Sequence, residues 1–154
     1  MAGTLRSYNG KKTNLRKKGK VGLVVAKWNE EITGALLTGA TETLKQIGYK
    51  KSDLIIRMVP GSFELPLGAQ RLARKKEVVG VICIGCLIKG DTPHFDYISQ
   101  AVAHGIMSTA LDTSKPVIFG VLTTNTLQQA LDRSGGKLGN KGEEAAISLM
   151  EMLE

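Results

Sequence analysis

From residue 21 onward, short apolar runs rich in β-branched residues alternate with longer stretches whose apolar positions recur every three or four residues. The runs Val21 to Ala26, Leu54 to Val59, Val78 to Ile84 and Pro116 to Leu122 predict strands. They are mostly apolar at consecutive positions, as strands covered on both faces should be, so a parallel sheet between two helical layers is expected. Helices are predicted over Glu31 to Ile47, Pro66 to Lys75, Phe95 to Leu111, Leu127 to Ser134 and Lys141 to Leu153. In the first of these, Ile32, Leu36, Leu37, Ala40, Leu44 and Ile47 share one face. Gly48 is placed to stop that helix, Thr124 or Asn125 to cap the fourth, and Pro66 to sit in a first turn where its missing N–H has no partner to lose. Only the first 20 residues lack a clear period.

At 154 residues the chain has the size of one domain, and its 42% hydrophobic and 23% charged residues are those of an ordinary soluble globular protein. The division expected is a basic arm over residues 1–20 and an α/β domain over 21–154. The formal charge of +7 is concentrated in that arm, where Arg6, Lys11, Lys12, Arg16, Lys17, Lys18 and Lys20 occur without an acid, while the body is neutral. Such an arm suits phosphate backbones or an acidic partner, but a solubilising or assembly role is the commoner one, and no nucleic-acid partner is expected. No apolar run approaches the ~20 residues of a membrane span and no leader pattern follows Met1, so a cytoplasmic protein without membrane contact is expected. Two cysteines are too few for a disulfide framework.

In an open parallel sheet, ligands bind beyond the carboxyl ends of the strands. The first strand is followed there by Lys27-Trp28-Asn29-Glu30, the second by Pro60-Gly61-Ser62-Phe63-Glu64, the third by Cys86 to His94 and the fourth by Thr123-Thr124-Asn125. Gly85-x4-Gly90-Asp91-Thr92 has the glycine spacing of a phosphate-cradling loop, but Asp91 stands where such a loop needs Lys, which argues against an NTPase. A weaker reading survives, in which backbone N–H groups of this turn, with Lys89 nearby, face an anion; the alternative is a tight turn alone. His94 lies in a turn just before the third helix, at the ligand edge, where an imidazole can move protons, whereas His104 falls within that helix and reads as structural or surface. Cys83 and Cys86 form a C-x-x-C with no second Cys/His pair to complete a zinc set, so buried thiols are expected and no metal. Trp28 can stack on a flat heterocycle or pack in the core, and Glu64, beside Phe63, can accept hydrogen bonds from hydroxyl groups. The segment from Asp132 to Gly142 holds four glycines with Arg133, Lys137 and Lys141, which suits either a phosphate or a solvated loop.

In combination, Lys27-Trp28-Asn29, Val59-Pro60-Gly61-Ser62-Phe63-Glu64-Leu65-Pro66, the run Leu87 to Tyr97, the run Pro116 to Thr123 and Gly139-Asn140-Lys141-Gly142 resemble the lumazine synthase family over residues 20 to 153. The resemblance implies a flavodoxin-like three-layer αβα sandwich with a central four-stranded parallel sheet, and an N-terminal strand that joins a neighbouring subunit's sheet. It implies a cofactor-free condensation of 5-amino-6-(D-ribitylamino)uracil with 3,4-dihydroxy-2-butanone 4-phosphate to 6,7-dimethyl-8-ribityllumazine. By the family pattern His94 is the proton-transfer residue and Arg133 the phosphate ligand, assisted by Lys89 and the backbone of Gly90, Asp91 and Thr92. Trp28 and Asn29 would face the pyrimidine, with Ser62, Phe63, Glu64, Leu87 and Ile88 holding the ring and ribityl chain. Phe119, Arg133 and Lys141 would come from the adjacent subunit of a homo-oligomer, a pentamer, and the uninterrupted Arg133 to Gly142 turn implies an icosahedral shell of pentamers. Trp28 departs from the pattern, since many relatives carry Phe there. The rival readings are a nucleic-acid module resting on the arm and a shell or flavin carrier without catalysis; the presence of both His94 and Arg133 argues against the latter.

Overall fold

The structure is a computed structural model and describes residues 19–153. The expected N-terminal strand, and the basic arm apart from its last two residues, lie outside the described residues. The order of elements is β1 (Lys20–Ala26), α1 (Glu30–Ile47), β2 (Leu54–Val59), α2 (Leu65–Ala73), β3 (Val78–Ile88), α3 (His94–Thr113), β4 (Val117–Thr124), α4 (Leu127–Arg133), a small hairpin of β5 (Ser134–Gly136) and β6 (Gly139–Asn140), and α5 (Lys141–Leu153).

The four long strands form one sheet in the order β2-β1-β3-β4, every pair parallel. Alternation along each strand sorts side chains to the two faces. Val21, Leu23 and Val25 of β1 with Ile82, Ile84 and Cys86 of β3 pack under α1, α4 and α5. Val24, Ala26, Val81 and Cys83 face the opposite way, against α2 and α3. The expected three-layer sandwich is therefore present. Strand β2 differs from expectation, because Ile56 and Met58 are 41% and 48% exposed. It lies at the sheet edge, where the helices do not cover it fully.

The third strand runs four residues past its expected end, since Cys86, Leu87 and Ile88 find partners in Leu122, Thr123 and Thr124 of β4. Gly48 closes α1 at a φ of 117°, and its N–H reaches the Leu44 and Lys45 carbonyls. Pro66 lies in the first turn of α2. The cap of α4 is Thr126, whose hydroxyl accepts from the Gln129 N–H, rather than Thr124 or Asn125, which the lengthening of β4 carries into and just past the strand. Residues 135–140, read as a loop, and Ser134, expected at the end of the fourth helix, fold into the β5–β6 hairpin, with Gly135 and Gly139 at φ of 115° and 83° supplying backbone that other residues rarely adopt.

Candidate functional site

The sheet order places a switch point between β1 and β3: the chain leaves β1 for β2 on one side and then returns to build β3 on the other. Connections diverge there and leave a crevice at the carboxyl edge. A cleft of about 660 Å³ opens at this position. Trp28 and Asn29 from the β1–α1 turn form one wall; Gly61, Ser62, Phe63 and Glu64 form a second; Cys86, Leu87 and Ile88 at the end of β3, with His94 and Ile98 of α3, form the third.

Asn29 adopts left-handed backbone, φ 59° and ψ 49°, and its side-chain amide donates to the Cys86 carbonyl at 2.9 Å. Trp28 and Phe63 remain 74% and 57% exposed, so two aromatic rings stand at the mouth rather than in the core. Glu64 turns back on its own segment and accepts the Gly61 N–H at 2.8 Å through Oε2, which fixes the carboxylate beside the cleft. Ser62 Oγ is buried and has no hydrogen-bond partner among the described residues. Gly85 of β3 makes that packing feasible, since a Cβ there would come within 2.6 Å of Ser62 Oγ. An orphaned buried hydroxyl is costly, and this one lies on the cleft wall.

Lys89, Gly90, Asp91 and Thr92 form the exposed turn between β3 and α3 and do not line the cleft; the Lys89 N–H is bonded to the Thr124 carbonyl at 2.8 Å. Space around Gly90 is open and its φ is not positive, so the fold itself does not demand a glycine there. Phe119 on β4 packs toward α3 and lines a separate apolar depression of about 210 Å³ with Ala103, Ile106, Met107 and Val117. Arg133 ends α4 and Lys141 begins α5, and both bind Glu144. Within one chain, Phe119, Arg133 and Lys141 are thus not brought into the cleft that holds His94.

Three lining residues, Gly61, Cys86 and Ile98, were not among the site residues expected from sequence, although Gly61 and Cys86 fall in the segments that follow strands. Ile98 lies four positions after His94, the spacing that puts two helical side chains on one face, so its signal was present. The two cysteines sit three apart on one strand and therefore point to opposite layers, which removes both a mutual disulfide and a shared metal. Burial pushes the Cys86 thiol up to about 11 and raises that of Cys83 still further, leaving both protonated at neutral pH. Asp132 is held below the usual carboxylate range chiefly by the Gln128 amide, then by the Lys137 ammonium at 3.1 Å, against partial burial. Among the described residues, no group of three or more His, Cys, Asp or Glu is arranged to hold a metal ion, and no helix is long and apolar enough to cross a membrane.

Comparison with known proteins identifies the family. The family profile described as 6,7-dimethyl-8-ribityllumazine synthase matches residues 18–154. A protein of that name from Cytophaga hutchinsonii is 56% identical over 149 residues, covering 97% of this chain and 93% of its own length. Those from Bacteroides fragilis and Parabacteroides distasonis are 50% and 51% identical over 135 and 133 residues, covering 88% and 86% of this chain and 94% and 83% of their own lengths. A profile spanning nearly the whole α/β domain and relatives at half identity or more leave one assignment, and the chain belongs to the 6,7-dimethyl-8-ribityllumazine synthase family.

Proposed function

We propose that the chain catalyses condensation of 5-amino-6-(D-ribitylamino)uracil with 3,4-dihydroxy-2-butanone 4-phosphate to 6,7-dimethyl-8-ribityllumazine, releasing one phosphate and two waters. The observation that carries this reading is the cleft at the switch point, where a stacking ring, an orphaned hydroxyl, a fixed carboxylate and an imidazole meet. An aromatic uracil fits against Trp28, and the polyhydroxyl ribityl chain fits Ser62 and Glu64, which can answer its hydroxyl groups. The Leu87 and Ile88 backbone at the end of β3 borders the same space.

The chemistry asks for proton movement rather than a cofactor. The amine of the pyrimidine attacks the ketone, loss of water gives an imine, elimination expels phosphate, and attack of the second nitrogen on the new carbonyl closes the ring with loss of another water. His94 on the cleft wall is the residue suited to carry protons between these steps. Much of the rate enhancement then comes from holding two reactants together. The phosphate is assigned to Arg133 and Lys141 of an adjacent subunit, met by the β3–α3 turn from Lys89 to Thr92, with Phe119 of that subunit closing over the ring.

This division makes a homo-oligomer part of the proposal. Exposed Tyr97, Met107 and Leu111 on α3, at 72%, 61% and 72% exposure, give that helix an apolar outer surface suited to a neighbour. A head-to-tail contact of this kind closes into a ring, here a pentamer, and the short β5–β6 hairpin leaves room for pentamers to join in an icosahedral shell. We assign the enzyme to the cytoplasm. Mixing the protein with both substrates and following lumazine fluorescence tests the activity; no product at saturating substrate would overturn it. Analytical ultracentrifugation at physiological salt tests the assembly, since a sole species at the mass of five chains would refute the shell and a monomer the shared site.

A further inference from the structure

One carboxylate serves both cations assigned to phosphate. Glu144, in the first turn of α5, has a side chain only 13% exposed, against 28% for Arg133 and 31% for Lys141. Its Oε1 lies 3.2 Å from Arg133 Nη2, and its Oε2 accepts from Lys141 Nζ at 3.0 Å and from Arg133 Nη2 at 3.4 Å. On the other side of the guanidinium, Nη1 donates to the Leu138 carbonyl of the hairpin at 2.9 Å. Two fixed points on a planar group set its orientation. Three of its five N–H donors are left for a ligand, and Lys141 keeps two of its three.

From this geometry we infer that Glu144 is the positioning residue of the phosphate site, holding the Arg133 and Lys141 charges at one spot and one orientation. The inference rests on the proposed phosphate role of those two residues and adds the group that acts through them. A carboxylate beside an anion site opposes the anion electrostatically, so its placement needs a compensating reason. Two long, rotamer-rich cations lose their conformational freedom here on folding, before any ligand arrives, which is the condition for tight and directional anion recognition. The trio retains a net charge of one positive unit, enough to attract a phosphate ester and mild enough to let free phosphate leave. The exposed neighbour Glu143 sits in the same helical turn and supplies a matched control for helix-dipole effects.

Steady-state kinetics with inorganic phosphate as a competing probe test this. Glu144→Ala is expected to raise both KM for the butanone phosphate and the inhibition constant of phosphate by about tenfold, with KM for the pyrimidine within about twofold. Glu144→Asp, which withdraws the carboxylate by one methylene and keeps the charge, is expected to raise the same two constants about threefold, and it stands in where the alanine variant does not fold. Glu143→Ala is expected to leave all three constants unchanged. Phosphate constants at the wild-type value in the Glu144 variants, or a pyrimidine KM that rises in step with them, would overturn the inference. Arg133→Ala separates the two levels: weakened phosphate inhibition there alongside unaffected Glu144 variants defeats only the positioning role. Unaltered inhibition in Arg133→Ala defeats the phosphate assignment and the positioning role with it.

Discussion

The side-chain amide of Asn29 spans the switch point to the Cys86 carbonyl at 2.9 Å, tying the turn after β1 to the overhanging end of β3. Asn29 also holds left-handed backbone at φ 59°, a conformation Asn tolerates better than most residues. Asn29→Ala is expected to cost about 2 kcal/mol, about half from the bond and half from the backbone. Asn29→Gly keeps the conformation and should lose only the bond, so its urea midpoint should fall less than that of the alanine variant.

His94 is expected to accelerate the reaction without being indispensable, because imine formation and phosphate loss proceed slowly in water and positioning is independent of the imidazole. His94→Ala should lower kcat by up to about a hundredfold while product still accumulates above the uncatalysed background. Turnover equal to wild type would remove the proton-transfer role.

A Cβ at position 142 would collide with the Leu36 carbonyl oxygen, so α1 and α5 pack this closely only over a glycine. Asn140 fastens the same seam, donating to the Ala35 carbonyl at 3.0 Å and accepting the Gly142 N–H at 2.8 Å. Gly142→Ala forces backbone apart rather than a flexible side-chain end, and a destabilisation of about 3 kcal/mol or more is expected. Thermal unfolding of the purified variant, or its loss from the soluble fraction, is the readout.

Both thiols should be silent toward a disulfide reagent in the folded protein at pH 8. Cys83 is wholly enclosed and Cys86, although it borders the cleft, is 2% exposed with its thiol raised to about 11. Two thiols should titrate in denaturant, and the slow rate before it should follow unfolding.

The parts of this fold that depend on local pattern were legible beforehand, and those that depend on neighbours were not. The unbroken apolar run of β1 and the apolar stripe of α1 name their buried residues directly, because the pattern of each element is a property of the chain itself. The exposure of Ile56 and Met58 follows from the place of β2 in the sheet, which no local window contains. Trp28, Ser62, Glu64 and His94 were found because each follows a strand, and topology alone sends all such segments to one edge. The bond from Asn29 to Cys86 joins residues 57 apart, and the grip of Glu144 on Arg133 joins residues 11 apart across a hairpin that read as a loop. Both depend on tertiary geometry that charge and spacing do not encode.

The helix that begins at Lys141 completes the layer over α1, with Ala145, Ala146, Leu149, Met150 and Leu153 joining Leu36, Ala40 and Leu44 in one cluster. Because α5 follows every other described element, a nascent chain cannot finish this half of the molecule until all of those elements have been made. Its first helix, complete nearly a hundred residues earlier, keeps the part of its apolar surface that α5 covers bare throughout that interval. The opposite layer is made entirely from segments that emerge before the end of β4. Synthesis therefore builds one side of the sheet first and leaves the other open to holding chaperones, and a stop codon shortly before Lys141 would release a chain with a half-made core.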